Sequence, residues 1–406
     1  MTALNVIIDT PLRRTCQLTR RLRANTVRWA PRQIAAGLDF LARAAFHVWR
    51  QRRYLTTIKL CNMALINIQY RFKSTYVLGR PYRMKIEPTN ICNTSCQLCP
   101  TGIGMVGRPR GVMSFDDYAR LIDRLRHHLV SLDLSMWGDP LICPDIYRMI
   151  RYARDRRIWT YISSNLHAYK PGQDQGRRIV ESGLELLTCS LHGATQETFE
   201  AYQPGKRLDQ SLEKIRDIIA TRDRMGSATP EIQLNFVVTR RNEHEIEAFR
   251  ALARELGCKA IFSNASMNAR FVGRDRKLTD LHLAPDLQRS RRRELLEQWL
   301  PKNREYVLEP YRQMARDDYD PSRWNGSKLY NCDWPWRASV INWDGKVVTC
   351  CGSFDPKDDF GNVLEKPFGR IWNSRRYRMA RRSFKSRLAP NDAESSPCAS
   401  CPGFMV

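Results

Sequence analysis

Cys92, Cys96 and Cys99 put three thiols within eight residues, in the run Lys85-Ile-Glu-Pro-Thr-Asn-Ile-Cys-Asn-Thr-Ser-Cys-Gln-Leu-Cys-Pro. At that spacing one loop can wrap a cubane [4Fe–4S] cluster and ligate three of its corners. The fourth iron then stays open, much as a catalytic metal keeps one position for substrate. Zinc is the competing use. A tetrahedral zinc site usually takes a fourth ligand, and no nearby His or Cys supplies one.

A second group lies near the end of the chain. Cys332 is followed by twelve residues, Gly345, four residues and Cys350, and Cys398 and Cys401 form a CxxC. Separated thiolate pairs of this kind suit a structural zinc ribbon or a second cluster. Cys351 adjoins Cys350 and could replace it, although adjacent cysteines seldom both bind one metal. Cys16, Cys61, Cys143, Cys189 and Cys258 are scattered and read as small packing residues. Seven of the thirteen cysteines fall in tight groups, which, with no secretory signal in Met1 to Arg14, indicates metal or redox chemistry in a reducing, cytoplasmic compartment.

The elements that must hold these thiols divide the chain into four regions. Residues 1–80 read as a basic helical extension, 81–270 as the catalytic core, 271–330 as a charged, Arg-rich helical connector and 331–406 as a small Cys-bearing α+β domain. In the core, β-rich runs (Met84–Glu87, Leu129–Ser135, Trp159–Ser163, Leu186–Leu191, Gln233–Val238, Ala260–Phe262) alternate with helical stretches. The latter are Phe115–His127 (with Ser114 as N-cap), Asp145–Asp155, Gln196–Tyr202, Leu208–Thr221 and Glu243–Leu256. Such alternation implies an α/β fold with a parallel sheet and right-handed crossovers. Six units are too few for an eight-fold barrel, so the expectation is a partial (β/α)6 TIM-like barrel. Its site should lie at the C-terminal ends of the strands. In the last region, Asp344-Gly345 marks a hairpin turn, followed by a helix near Phe368–Phe384.

The net charge of +25 is uneven: residues 1–80 hold 15 Lys/Arg against only Asp9 and Asp39. That arm suggests anionic lipid, nucleic acid or a phosphorylated ligand. Ile34, Leu38, Leu41, Ala45 and Val48 recur at helical spacing, so a helix there, with Phe46 and Trp49, can lie at a membrane interface or pack on the protein. Tyr54 to Tyr70 is the run nearest to a membrane span, but Lys59 and several Asn, Gln and Thr residues interrupt it. Nucleic-acid binding is disfavoured, because no RRM, KH or zinc-finger pattern is present.

The three-cysteine loop after the first strand resembles the signature of the radical S-adenosylmethionine (radical SAM) superfamily, and the resemblance extends over about residues 82–265. Gly138-Asp139-Pro140 looks like the family's Gly-Glu-Pro motif, and Ser163-Ser164-Asn165 is similar to its ribose- or carboxylate-contacting segment. Ser190-Leu-His-Gly-Ala-Thr resembles its Ser-x-Asp-Gly-Ala-Thr run. The resemblance implies that Cys92, Cys96 and Cys99 hold a [4Fe–4S] cluster, and that Gly138, Asp139, Ser163, Asn165 and Ser190 contact S-adenosylmethionine. It further implies reductive cleavage of SAM to a 5′-deoxyadenosyl radical that abstracts a substrate hydrogen. Four positions depart from the pattern. Leu98 stands where an aromatic residue is common, Asp139 replaces Glu, His192 replaces Asp, and Gln203 replaces an Arg whose role Lys206 or Arg207 would have to take.

The C-terminal cysteines resemble the first part of a SPASM domain in its shortened, twitch form. This implies a second, auxiliary [4Fe–4S] cluster on Cys332, Cys350, Cys398 and Cys401, saturated and therefore suited to electron transfer. Twitch domains occur in dehydrogenases of aminocyclitol antibiotics, so the resemblance points to oxidation or epimerisation of a small polyol, sugar or glycolipid. Peptide or protein maturation is the alternative, and a purely structural iron–sulfur protein is a third. The implied partners are a small-molecule or glycolipid substrate and a reducing donor such as flavodoxin or ferredoxin. Peripheral contact of residues 1–80 with an anionic membrane on the cytoplasmic face completes the expectations.

Overall fold

Alternating burial along Arg83–Ile86 sends Met84 and Ile86 into an apolar layer and turns Arg83 and Lys85 the other way, the two-residue period expected of a strand. The computed structural model describes residues 52–104, 106–266, 285–308, 311–312, 315–316, 332–385, 396–398 and 401. The stretch Ile34–Val48 and Cys16 lie outside them.

A 3-10 turn at Arg52–Tyr54 precedes α1 (Thr57–Arg71), whose N-cap Thr56 accepts from the Lys59 amide. The core then runs β1 (Arg83–Ile86), α2 (Phe115–Leu125), β2 (Ser131–Asp133), α3 (Ile146–Asp155), β3 (Trp159–Ser164), α4 (Gln175–Ser182) and β4 (Leu186–Ser190). It continues with α5 (Gln196–Tyr202), α6 (Leu208–Arg224), β5 (Glu231–Val238), α7 (Ile246–Glu255) and β6 (Lys259–Asn264). After α8 (Pro285–Trp299) come α9 (Trp334–Arg337), β7 (Ala338–Ile341), β8 (Val347–Val348), α10 (Phe368–Trp372) and α11 (Arg375–Arg382). Ser114 caps α2, accepting from the Asp117 amide, which satisfies one of the orphan donors of the first turn.

One sheet has the order β6-β5-β4-β3-β2-β1-β7-β8. Every pairing is parallel except the β7–β8 hairpin. The expected partial (β/α)6 barrel is therefore present, and among the described residues its sheet does not close. The C-terminal region adds to it: β7 pairs with β1 in register, Lys85 opposite Val340 and Ile86 opposite Ile341. Trp336, Ile341, Val347, Trp372 and Tyr377 share one core with the barrel residues Ile86, Leu132 and Ile162. Gly345, at φ +79°, turns the hairpin, a backbone state that costs glycine nothing.

Several features differ from the sequence reading. The helix expected over Phe368–Phe384 is two helices, because Asn373 ends α10 by pairing both ways with the Val77 backbone, at 3.0 and 2.7 Å. Ser374 then caps α11. Cys143 and Cys189 are buried in the core, whereas Cys61 is exposed. The short α4 carries no strong sequence signal and packs through Ile179 and Val180. Among the described residues no helix is long and apolar enough to cross a membrane.

Candidate active site

The cluster loop leaves the C-terminal end of β1 and is folded tightly on itself. A Cβ on Gly102 would lie 2.3 Å from the Cys96 carbonyl oxygen, so only glycine lets the loop close there. The Cys99 amide donates to the Cys96 carbonyl at 3.2 Å, and the Ile103 amide to that of Cys99 at 3.1 Å. Burial pushes the Cys96 thiol up to about 12 and raises that of Cys99, and the sulfurs of Cys92, Cys96 and Cys99 act on one another electrostatically. Cys96 and Cys99, two thiols that burial keeps neutral, suit a bound cationic iron core that reverses the preference.

Two polar groups face these sulfurs, Thr94, which the sequence did not single out, and Asn165, which it did. Thr94 Oγ1 lies 3.1 Å from Cys92 Sγ and 3.5 Å from Cys96 Sγ. The Asn165 amide nitrogen lies 3.6 Å from Cys92 Sγ and donates to Asn93 Oδ1 at 3.0 Å. Such donors orient thiolate ligands and tune a cluster. Thr94 carried no sequence signal beyond its place between two cysteines.

The Gly138-Asp139-Pro140 segment is clamped against this loop. A Cβ on Gly138 would sit 2.2 Å from the Thr89 carbonyl oxygen, and the Asp139 amide donates to the Ile91 carbonyl at 2.9 Å. The buried Asp139 carboxylate accepts from Ser164 Oγ (2.9 Å), the Asn165 amide (2.8 Å) and the Leu141 amide (2.9 Å). Burial raises its pKa, with those three donors opposing the shift. Its oxygens are thus taken up in tying the ends of β2 and β3 together. Ser163 and Ser190 meet across neighbouring strands, hydroxyl to hydroxyl, at 3.3 Å.

The departures from the family pattern have structural explanations. Gln203 is fully buried; its amide donates to the Ser190 carbonyl at 2.8 Å and its oxygen lies 2.9 Å from His167 Nε2. It locks the ends of β3 and β4, so it does not occupy the place of a free cation. Arg207 is exposed and paired with Asp209. His192, at φ +64°, accepts from the Val237 amide at 3.1 Å and lies 4.4 Å from the Tyr202 ring. Burial pulls its pKa down to about 3, so it is neutral. Leu98 is buried with Tyr202, Trp299 and Tyr311, which makes the connector the apolar cover of the cluster loop.

Inside the barrel, Lys85 pairs with Asp133, which also accepts from Ser135. Burial works against the Lys85 charge, but Asp133 and Tyr161 hold the ammonium above its ordinary range. Gln233 donates to Thr188 at 2.7 Å and Ser263 to Asn235 at 2.6 Å, so the lumen facing the site is polar.

The second thiol group sits where β8 returns beside β7. Cys332, Cys350, Cys398 and Cys401 act on one another electrostatically; burial raises Cys332 and Cys350 well above the ordinary thiol range and Cys398 to about 12. Cys351 acts on Cys350, but its own thiol feels Lys85 and Asp133, whereas Cys350 also feels Cys401, Cys398 and Cys332, so Cys350 is the member of the adjacent pair that faces the other three. Beside this group lies Arg381, fully buried; its acceptors among the described residues are neutral: the carbonyls of Pro335 (2.9 Å), Thr75 (3.0 Å) and Trp372 (2.8 Å), and Asn373 Oδ1 (3.1 Å). A buried cation held by neutral acceptors matches an anionic four-thiolate cluster.

The two thiol groups are joined by a buried seam. Glu87 accepts from the amides of Trp137 (3.1 Å) and Trp343 (3.3 Å), Arg108 pairs with Asp344 and Asp359, and Trp137 meets Phe354 edge to face at 5.9 Å.

A parallel, open α/β barrel carries a three-thiol loop at its C-terminal rim and a second group of four thiols beside an added hairpin, the residue types and placement that iron–sulfur chemistry needs. Residues 86–253 match the radical SAM superfamily and residues 332–402 match an iron–sulfur cluster-binding domain of the SPASM type. The chain belongs to the radical SAM superfamily, SPASM subgroup, and it uses S-adenosylmethionine, a [4Fe–4S] cluster and auxiliary iron–sulfur chemistry. The zinc alternatives give way to that match.

Among relatives, the AdoMet-dependent heme synthase of Nitratidesulfovibrio vulgaris is 30% identical over 43% of this chain and 45% of its own length. The mycofactocin maturase MftC of Mycobacterium tuberculosis is 26% identical over 57% of this chain and 54% of its own. The chain spans about half the length of these curated relatives. The Streptococcus suis SuiB structure bound to precursor peptide SuiA shares the fold, at TM-score 0.55 and 15% identity, covering 81% of this chain and 72% of that one.

Proposed function

We propose that this radical SAM enzyme oxidises a residue of a peptide or protein, with its auxiliary cluster receiving the electron. When bound, SAM and the reduced cluster supply a 5′-deoxyadenosyl radical that takes a hydrogen atom from the substrate. Cys92, Cys96 and Cys99 hold the first cluster, while Ser163, Asn165 and Ser190 line the place for SAM. Gly138 and Asp139 position that place through their backbone and through the ends of β2 and β3. Cys332, Cys350, Cys398 and Cys401 hold the second cluster. Oxidation then removes one hydrogen atom, one proton and one electron from the substrate, a loss of two mass units.

The observation that carries the peptide reading is the open sheet: among the described residues β6 pairs only with β5. The barrel side is therefore open to a residue presented on a longer chain, and a free strand edge can seat an extended peptide. The relationship to a maturase adds support. The polar lumen around Lys85, Asp133 and Gln233 favours a second reading, a hydroxyl-rich polyol or sugar, whose groups those side chains would bind.

The test is anaerobic turnover with SAM and dithionite. Peptides encoded beside the gene should raise 5′-deoxyadenosine formation and lose two mass units. If aminocyclitols or inositol do so and the peptides do not, the second reading replaces the first.

A further inference from the structure

Helix α1 is built inside out. The face it turns to the protein carries Lys59 and Asn62, both buried, with Ile66. Lys59 donates to the Arg157 carbonyl, and Asn62 pairs both ways with the Arg80 backbone, at 2.9 and 2.8 Å. Burial lowers the Lys59 ammonium to about 8. The outward side holds the apolar residues. Ile58 and Ile68 are 56% exposed, and Phe72, just past the helix, is 72% exposed. Tyr76 and Leu78, in the loop that follows, are exposed as well. Ordinary surface helices show the reverse pattern, and large apolar side chains exposed along one helix mark an interaction surface.

We propose that this face of α1 seats on an anionic membrane surface. Residues 52–80 hold six Lys/Arg and no Asp or Glu; Lys59 is buried and Arg53 pairs with Glu185, and the others are Arg52, Arg71, Lys73 and Arg80, within an 80-residue stretch carrying 15 Lys/Arg and two acidic residues. Apolar side chains flanked by cations suit the boundary between acyl chains and anionic headgroups. A second copy would bring two such basic surfaces together, and residues 1–51 hold nine Lys/Arg of their own, so like charge opposes either as the cover.

The placement of α1 gives the docked enzyme an orientation. Arg157 and Arg80, which hold α1, precede β3 and β1, and Tyr54 bonds Glu185 just ahead of β4. Tyr54 also packs with Trp159 and Leu186, so this segment plugs the N-terminal end of the barrel. The cluster loop leaves the other end. A membrane under α1 therefore leaves the site facing water, and the substrate arrives from the aqueous side.

The test is sedimentation of the full-length, cluster-loaded enzyme with vesicles of phosphatidylcholine alone or with phosphatidylglycerol. Wild type should pellet with the phosphatidylglycerol vesicles, less at high salt, and remain in solution with phosphatidylcholine. Ile68→Glu/Phe72→Glu should lower partitioning at least about tenfold, with iron content and 5′-deoxyadenosine formation unchanged. In a Cys16→Ser background, an environment-sensitive fluorophore on exposed Cys61 should shift to the blue on the anionic vesicles, a readout that needs no disruptive variant. Wild type left in the supernatant, unchanged partitioning of the double variant, a silent probe, or a dimer split by the double variant would each overturn the proposal.

Discussion

The side-chain nitrogen of Asn165, at the end of β3, lies 3.6 Å from the sulfur of Cys92, in the loop after β1. A donor so placed withdraws charge from a thiolate and makes its cluster easier to reduce. Asn165→Ala should therefore move the midpoint potential of the SAM-binding cluster to more negative values at unchanged iron content, read by an EPR-monitored redox titration. An unchanged potential with weakened SAM binding would confine Asn165 to lining the place for SAM.

The two thiol groups should be separable by substitution. Cys92→Ala, Cys96→Ala and Cys99→Ala should each abolish SAM cleavage. Cys398→Ala should lower iron from about eight to about four atoms per chain, on four irons per cubane, and leave the first cluster in place. Full iron content in the Cys398 variant, together with zinc in the isolated protein, would contradict this assignment.

Arg381 is expected to act as the counter-ion of the auxiliary cluster. Its four acceptors among the described residues are neutral, and burial disfavours its charge while Tyr377 and Cys398 favour it. Arg381→Met should shift the auxiliary potential negative, because a nearby positive charge stabilises the more anionic reduced state. Arg381→Lys should recover part of the shift. Equal potentials in all three proteins would reduce the arginine to a packing role.

Glu87 gives the fold a pH dependence. Burial raises its carboxyl to about 7, with the backbone donors Trp137 and Trp343 opposing the shift. Since the folded value is above the unfolded one, the stabilisation is complete below the ordinary carboxylate range and is lost as pH rises through about 7. Glu87→Gln should remove that loss. Relative to wild type, the variant should gain about 2 kcal/mol between about pH 5.5 and about pH 8, measured by denaturant unfolding at the two pH values. Parallel curves for the two proteins would refute it.

Much of the site follows from short-range spacing. Three cysteines in one loop, the Ser114 cap and the Asp344-Gly345 turn each depend on a few neighbouring residues, so their chemistry is legible without a fold. The six strands likewise follow from local alternation, and their order from the preference of successive units to lie side by side. The roles of single side chains were less legible. Asp139 was expected to contact SAM, yet its carboxylate is occupied by Ser164 and Asn165, a contact between strands 25 residues apart. Gln203 and Leu98, departures from the family pattern, are buried partners of His167 and Trp299.

The sequence by itself determined the class of chemistry, because thiols, glycines and turns act over a few bonds and their spacing survives any arrangement of the chain. Only the tertiary structure decided that β7 would pair with β1, some 250 residues away, and so tie both thiol-bearing regions to one core. It also decided which of Cys350 and Cys351 meets the other three thiols, and that α1 would bury Lys59 and turn Ile68 outward. Those outcomes depend on which distant backbone groups are left needing a partner: Lys59 and Asn62 are buried because Arg157 and Arg80 offer carbonyls at the end of the barrel. No local pattern of apolar and polar residues carries that information.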